Sequence, residues 1–455
     1  MPEPALAVIR GSIAGKLGNP DDAIEQYRVL LDAGDTSIRS SIAMSALYSD
    51  RMSTDEVAAL HRSLFSDLGE GARSPASFGN ELSTDRPLRV GMVSRDLHRQ
   101  HPVNILLQPM LAAWDQAAFP LTIYFTGNTR DEQTAQAQRR AGTWREIPAE
   151  RLSQLPAQVE ADKIDILIDL AGHTSSAQPA LFGQRIAPVQ ATYLGYPCST
   201  GVPNMDWLLG GDIVTPPQHA HLYSEQIARL PGTVFCFAPG NQYPEPQFPD
   251  AAASRPLTFG SFNNIPKLTP RTIGLWSAIL RALPDSRLLL KAASFQDRGA
   301  ITRYQNLFAA EQIDPTRLEF RGPTGLADMM QEYADIDIAL DPIPYNGGTT
   351  TLQALWMGAP VLTMTGGHFV SRMGASFMYS AGLPDWVADD DEGYVANAVR
   401  MASDRQALLQ LKRGLRSHLQ TQAAWDSTAF TQAFQQQLEQ MWRTFIESTE
   451  SGWNN

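Results

Sequence analysis

Cysteine is nearly absent: Cys198 and Cys236 are the only two in 455 residues, and they lie far apart. They form neither a disulfide framework nor a metal-ligand spacing. Long apolar runs are missing too, since none approaches the roughly 20 residues that span a bilayer. Met1 to Pro20 lacks the apolar core of a signal peptide. A reducing cytoplasm, with no membrane partner, is the expectation. Positive charge is short as well, with 36 Lys and Arg against 48 Asp and Glu and a net charge of −12. A broad nucleic-acid surface is therefore disfavoured, and any anion site must be local. The eight histidines make no ligand cluster, and His219-x-His221 stands without acidic company, so no metal site is expected.

What is present is an ordinary globular balance, 43% hydrophobic, in a chain long enough for about two to four domains. Residues 1–80 read as helices. Gly18-Asn19-Pro20 turns the chain, Pro20 suits a helix start, and Ala23, Ile24, Tyr27, Leu30 and Leu31 follow at helical spacing. With "ALAVIRGSIAG" as a first helix, this is similar to one tetratricopeptide repeat, which cannot bury both its faces alone. Then the pattern changes. "LRVGMVS", "LTIYFT", "IDILIDL" and "VQATYLG" are short apolar runs separated by helical or loop segments, over residues 86–240. After a Pro-rich linker the alternation restarts over residues 255–405 with "LTFGSF", "SRLLLKA", "RLEFRG", "DIDIALD" and "APVLTM". Such alternation predicts an α/β protein with two parallel sheets and ligands beyond the strands' carboxyl ends. Residues 406–455 read as helices, with Phe430, Phe434, Leu438, Met441, Trp442 and Phe445 on one core-facing stripe.

Four strand-end segments carry candidate chemistry. In "LDPIPYNGGTTTLQALWMGAPV", two glycines and three threonines stand where a helix must begin, with no acid in its first turn. Free N–H groups at such a start attract anions, and glycine lets a phosphate approach the backbone. An ordinary Thr-capped turn reads equally well from local features. No GxxxxGK[ST] pattern occurs, so this is not a P-loop. In "GSFNNIPKLTP", Lys267 sits in a loop just past a strand, where a diphosphate would lie if the first segment binds one. In "SRDLHRQHPVNILL" and "DLAGHTSSA", His98, His101 and His173 stand in two strand-end loops of the other α/β half. Lone histidines are commonly structural; two such loops in one half raise the functional reading.

These segments occur in a family's order, together with "RIAPVQATYLGYPCSTG", "NMDW" and "YSEQIARLPG". From about residue 5 to about residue 447 the chain resembles the O-linked N-acetylglucosamine transferase and SPINDLY family of nucleotide-sugar protein glycosyltransferases. The resemblance implies two Rossmann-like domains in the GT-B arrangement behind a short helical TPR-like region. It implies an inverting, metal-independent transfer, with a nucleotide-sugar co-substrate, no other cofactor, and a protein or peptide acceptor. N-acetylglucosamine from UDP-N-acetylglucosamine to Ser or Thr is the leading expectation. GDP-fucose, a UDP-hexose, a small-molecule acceptor or a degenerate nucleotide-binding scaffold stay open. Residue by residue, Lys267 matches the family's lysine on the donor phosphates, and Gly348, Thr349 and Thr350 match the diphosphate clamp. Asn264 matches a donor-contacting position, Leu194, Gly195 and Pro197 match the sugar-pocket wall, and His101 matches the active-site histidine, with His173 a second catalytic candidate. Gln353 stands where members carry an acid for the donor ribose. The donor elements and the N-terminal helices are expected to be separable, the helices covering the first α/β half.

Overall fold

Among the residues that the computed structural model describes, 3–99, 101–174, 177–239, 243–248 and 255–452, the short apolar runs become strands of two all-parallel sheets. The first sheet contains β1 (Val90–Ser94), β2 (Leu121–Phe125), β3 (Thr143–Glu146), β4 (Ile166–Asp169), β5 (Val189–Thr192), β6 (Trp207–Gly211) and β7 (Gln226–Leu230). Its order is β3-β2-β1-β4-β5-β6-β7. The second contains β8 (Thr258–Ser261), β9 (Arg287–Lys291), β10 (Leu318–Arg321), β11 (Ile338–Leu340), β12 (Val361–Met364) and β13 (Val387–Ala388), in the order β10-β9-β8-β11-β12-β13. Both are doubly wound sheets of Rossmann type. In each, strand order reverses between the first and fourth strands, where such sheets bind ligands. The loops after β1 and β4, and those after β8 and β11, are the four segments that the sequence picks out.

Sequence patterning finds the central strands because they are buried on both faces; every residue of β1, β2, β4 and β5 is buried. It passes over β3, β6, β7 and β13. β3 reads Thr-Trp-Arg-Glu on a half-exposed edge, and β13 has two residues. Neither is long enough to show a period.

The chain divides into two units. One takes residues up to Ile38, Ser45–Ser53 and Pro239–Gln422; the other takes Arg39–Met44, Thr54–Ala238 and the residues from Ala423 onward. The N-terminal helices are thus shared out. Helices Glu3–Lys16 and Pro20–Asp32 belong with the second sheet, not the first as expected, while Thr54–Phe65 belongs with the first. Their hairpin is close-packed because Gly11 leaves room for the Tyr27 ring, which a Cβ there would meet. Of the C-terminal helices, Arg405–Leu419 stays with the second sheet and Ser427–Gly452 with the first. Phe430, Phe434, Leu438, Met441 and Trp442 are buried, as their spacing predicts, whereas Phe445, last on the stripe, is half-buried.

The two units repeat one device. Arg86-Pro87-Leu88 precedes β1 and Arg255-Pro256-Leu257 precedes β8. Arg86 pairs with buried Asp165 at 2.8 Å, and Arg255 with buried Asp337 at 2.9 Å. Each carboxylate also accepts a backbone N–H, from Arg89 at 2.8 Å and from Thr258 at 2.9 Å. The two bonds lock the entry of each first strand against the fourth. Removing one partner leaves a buried charge under-compensated. Arg86→Ala is expected to cost about 2 kcal/mol or more, because Arg89 keeps only part of the pairing. Urea denaturation with an unchanged slope checks this.

Candidate active site

β8 ends at Ser261, and the chain runs through Asn263 and Asn264 into a tight turn, Ile265–Lys267, before the helix Pro270–Ala282 capped by Thr269. The Lys267 Nζ reaches across the switch point, donating to the Asn346 carbonyl at 2.7 Å and standing 4.5 Å over the Tyr345 ring centroid. Burial lowers the ammonium's pKa from its ordinary value, and the Asp341 carboxylate opposes that shift.

Asp341 follows β11 and is buried. Its Oδ1 accepts the Gly347 N–H at 2.5 Å and its Oδ2 accepts the Thr363 hydroxyl at 2.7 Å. These bonds fold the loop so that Gly348 becomes the N-cap of the helix Thr349–Trp356, with no side-chain cap and no acid in its first turn. A Cβ at Gly348 would meet nothing within 4 Å, so this helix start faces open space. Thr350 Oγ1 donates to Asn263 Oδ1 at 2.9 Å, tying the helix start to the loop after β8. Thr349 Oγ1 is buried with no hydrogen-bond partner among the described residues. An uncapped helix start, an unused hydroxyl and a fixed ammonium together make a receptor for an anion. Gln353 lies one turn further on, buried, its amide donating to the Tyr243 hydroxyl at 2.9 Å. Asn264 is exposed beside Lys267.

The other unit holds the remaining candidates. His101 caps the helix Pro102–Ala112, its Nδ1 accepting the Val103 N–H at 3.3 Å, so the neutral ring carries its proton on Nε2. That Nε2 lies 3.9 Å from Oδ1 of buried Asp96. Burial lowers the ring's pKa, the Asp96 carboxylate raises it, and His98 lowers it further. Asp169, at the end of adjacent β4, has its carboxyl pushed up to about 6, chiefly by burial. Leu194 and Gly195 turn the chain after β5, Leu194 at φ 74°. Gly195 comes so close to the Leu170 carbonyl that a Cβ would collide with it. Pro197 is buried behind them.

His173 stands apart from this group. Its Nε2–H donates to the Thr200 carbonyl at 2.6 Å, so its Nδ1 accepts the Ser40 hydroxyl at 3.1 Å. The ring is buried, stacked on Phe65 at 4.2 Å and edge-on to Tyr196 at 5.0 Å. Burial pushes its pKa down to about 3. With both nitrogens engaged, His173 holds its loop. Sequence reading also missed Asp341, Asn346, Asn263 and Tyr345, which build the anion receptor. The signal for Asp341 was an acid ending an apolar strand, repeated in Asp169 of the other half. Among the described residues no group of three His, Cys, Asp or Glu could hold a metal, and no helix is long and apolar enough to cross a membrane.

The profile of glycosyl transferase family 41 matches residues 44–245 and 241–434. The chain belongs to this family. It is 32% identical over 82% of its length to the probable UDP-N-acetylglucosamine–peptide N-acetylglucosaminyltransferase SPINDLY of Solanum lycopersicum, and 27% identical over 78% to the protein SEC of Arabidopsis thaliana named for the same activity. It spans about 40% of the length of the first relative and 37% of the second. A Thermobaculum terrenum O-GlcNAc transferase mutant of solved structure matches 98% of this chain, and 85% of its own, at 29% identity with a TM-score of 0.92. The GT-B fold of family 41, two Rossmann-like halves with helical additions, is therefore the fold of this chain.

The neutral His173 has a measurable signature. Its pKa is lower folded than unfolded, so between about pH 6.5 and the folded value of about 3 the unfolded chain binds the extra proton. Stability is complete above that window and falls as pH drops through it, by up to about 1.4 kcal/mol per pH unit. Asp169, with its raised pKa, acts in the opposite sense, so the comparison must be between variants. His173→Asn is expected to be less stable than the parent at pH 7 yet flatter between pH 6 and 4, as read by denaturant titration.

Proposed function

We propose that this chain transfers N-acetylglucosamine from UDP-N-acetylglucosamine to Ser or Thr hydroxyls of protein acceptors, with inversion and without a metal. The observation that carries the reading is the Lys267 ammonium fixed beside the uncapped, acid-free helix start at Gly348–Thr350. The activities for which the family 41 relatives are named supply the donor and the acceptor class.

As the acceptor oxygen bonds to the anomeric carbon, the bond from that carbon to the diphosphate oxygen breaks, and negative charge gathers on the leaving group. The Lys267 ammonium, the N–H groups of the helix start and the Thr349 hydroxyl lower the energy of that charge. They are held in place before reaction, which is where such stabilisation is largest. Their positive field takes the part that a divalent cation plays in metal-dependent transferases. His101, matched to the family's active-site histidine, offers Nε2–H as a donor in the tautomer that its cap bond selects. That suits holding an acceptor or sugar oxygen, and a donor phosphate oxygen is then the acceptor of the hydroxyl proton. Gln353, bonded to Tyr243, keeps an amide oxygen for the donor's nucleoside in place of the acid carried by other members.

Lys267→Ala is expected to lower kcat by about 10² or more with little change in melting temperature, the scale for losing one preorganised donor. Mass gain on a protein substrate, measured with UDP-N-acetylglucosamine, GDP-fucose and UDP-hexoses in parallel, reads both the activity and the sugar. Near-normal turnover of the alanine variant would remove Lys267 from the site. Gain only with GDP-fucose would replace the donor and keep the mechanism, and no gain with any donor would leave a nucleotide-binding scaffold. Turnover should also survive exhaustive chelation; loss with EDTA and recovery with Mg²⁺ would overturn the metal-free mechanism.

A further inference from the structure

The helices ahead of residue 53 touch the donor-phosphate lysine's surroundings at several points. Gly18, after the first helix, has φ +78°, and a Cβ there would lie 3.1 Å from the Leu268 carbonyl oxygen and 3.4 Å from that of Ile265. The hairpin's backbone therefore rests directly on the turn that bears Lys267. Arg303 clamps the same corner, donating to the Leu17 carbonyl and to Asn19 Oδ1, both at 3.3 Å. Further along, Ser49 donates to Asp21 at 2.6 Å, and Asp50 accepts the Arg271 N–H at 3.2 Å, in the first turn of the helix after Lys267. Between these ties stands Tyr48. Its ring stacks on Tyr345 with centroids 4.5 Å apart and planes 20° from parallel. Tyr345 is the ring over which the Lys267 ammonium stands.

We propose that Tyr48 is a positioning residue for donor binding: it fixes the Tyr345 ring, and through it the Lys267 ammonium, so the N-terminal helices form part of the phosphate site. This rests on the donor reading above. A lysine is a point charge on a flexible stem, and it binds phosphate well only if something else sets where the charge stands. Here one face of Tyr345 and the Asn346 carbonyl do that, and Tyr48 keeps the ring from swinging. On this proposal the donor site and the N-terminal helices are not independent, contrary to the expectation from the sequence. Trimming the helices would uncover the lysine turn at Gly18 and release Tyr345.

The groups acting on the ammonium are the Asp341 carboxylate, the Asn346 carbonyl and the Tyr345 ring. Tyr48 itself stays uncharged over the range to be tested, because burial pushes its phenol up to about 12. The test compares the full chain with Tyr48→Ala and Tyr48→Phe. Two quantities are read: the pH dependence of Lys267 acylation, by peptide mass spectrometry without ligand, and UDP affinity, by calorimetry. In Tyr48→Ala, water reaches the ammonium, so the midpoint of Lys267 reactivity should rise toward that of an ordinary lysine. UDP affinity should fall about threefold to tenfold, the size of one lost aromatic pair. Tyr48→Phe keeps the stack and should restore both. An unchanged Lys267 profile in Tyr48→Ala overturns the proposal, as does a Tyr48→Phe variant that behaves like the alanine variant. Loss of cooperative melting in Tyr48→Ala also overturns it, because Tyr48 would then hold the fold and not the lysine. A shifted profile rescued by Phe, in a parent that binds no UDP, would keep the bracing of Lys267 and overturn the donor reading instead.

Discussion

The carboxylate of Asp341 is the constraint from which the arrangement around Lys267 and the helix start at Gly348 follows. It is buried at the end of a central strand, where an ionised group must be fully hydrogen-bonded or lose its charge. Burial pushes its pKa up, and the Gly347 N–H and Thr363 hydroxyl oppose that. Satisfying it bends the loop, and the bend places Asn346 where its carbonyl accepts Lys267 and puts Gly348 at the head of a helix. The same charge attracts the lysine it faces. Lys267 is thus held by a negative group that it does not neutralise by direct contact, and its positive charge stays available for a ligand.

Much of this was legible in the sequence, for reasons that differ from residue to residue. Lys267 stood out, although a lone loop lysine is usually solvated, because it lies just past a strand where a diphosphate would lie if the glycine-threonine segment binds one. Gly348–Thr350 stood out because those residues are poor helix formers at a helix start. The parallel sheets showed because doubly buried strands are continuous apolar runs. His173 misled because its partners, Ser40 and Thr200, are remote in sequence, so nothing nearby marked its nitrogens as occupied. Tyr48 was invisible for the same reason, since a stack on Tyr345 leaves no periodic trace. Edge strands such as β3 were invisible because half-exposed residues follow no burial pattern.

The two halves of this chain use one plan with different endings. Both lock the first strand to the fourth through an arginine and a buried aspartate, and both place a second aspartate at the far end of the fourth strand. Asp341 spends its bonds on a glycine-rich loop that opens a helix, whereas Asp169 takes the N–H groups of Ala171 and Gly172 in a tight turn. The plan supplies rigidity, and the residues after the second aspartate decide whether the loop opens a helix or closes into a tight turn.

The division of the chain between its two units has a consequence for its synthesis. Residues up to Ile38 and Ser45–Ser53 belong with a sheet whose first strand begins only at Thr258. On the ribosome, these helices emerge well before that sheet and must wait while Thr54–Ala238 is made, about ten to forty seconds at ordinary elongation rates. Through that interval the apolar faces meant for the second sheet have no partner, so the nascent chain is exposed to misassembly in a way that a strictly sequential two-domain protein is not. The first sheet waits in its turn, because its helix Ser427–Gly452 is made after every residue of the other unit.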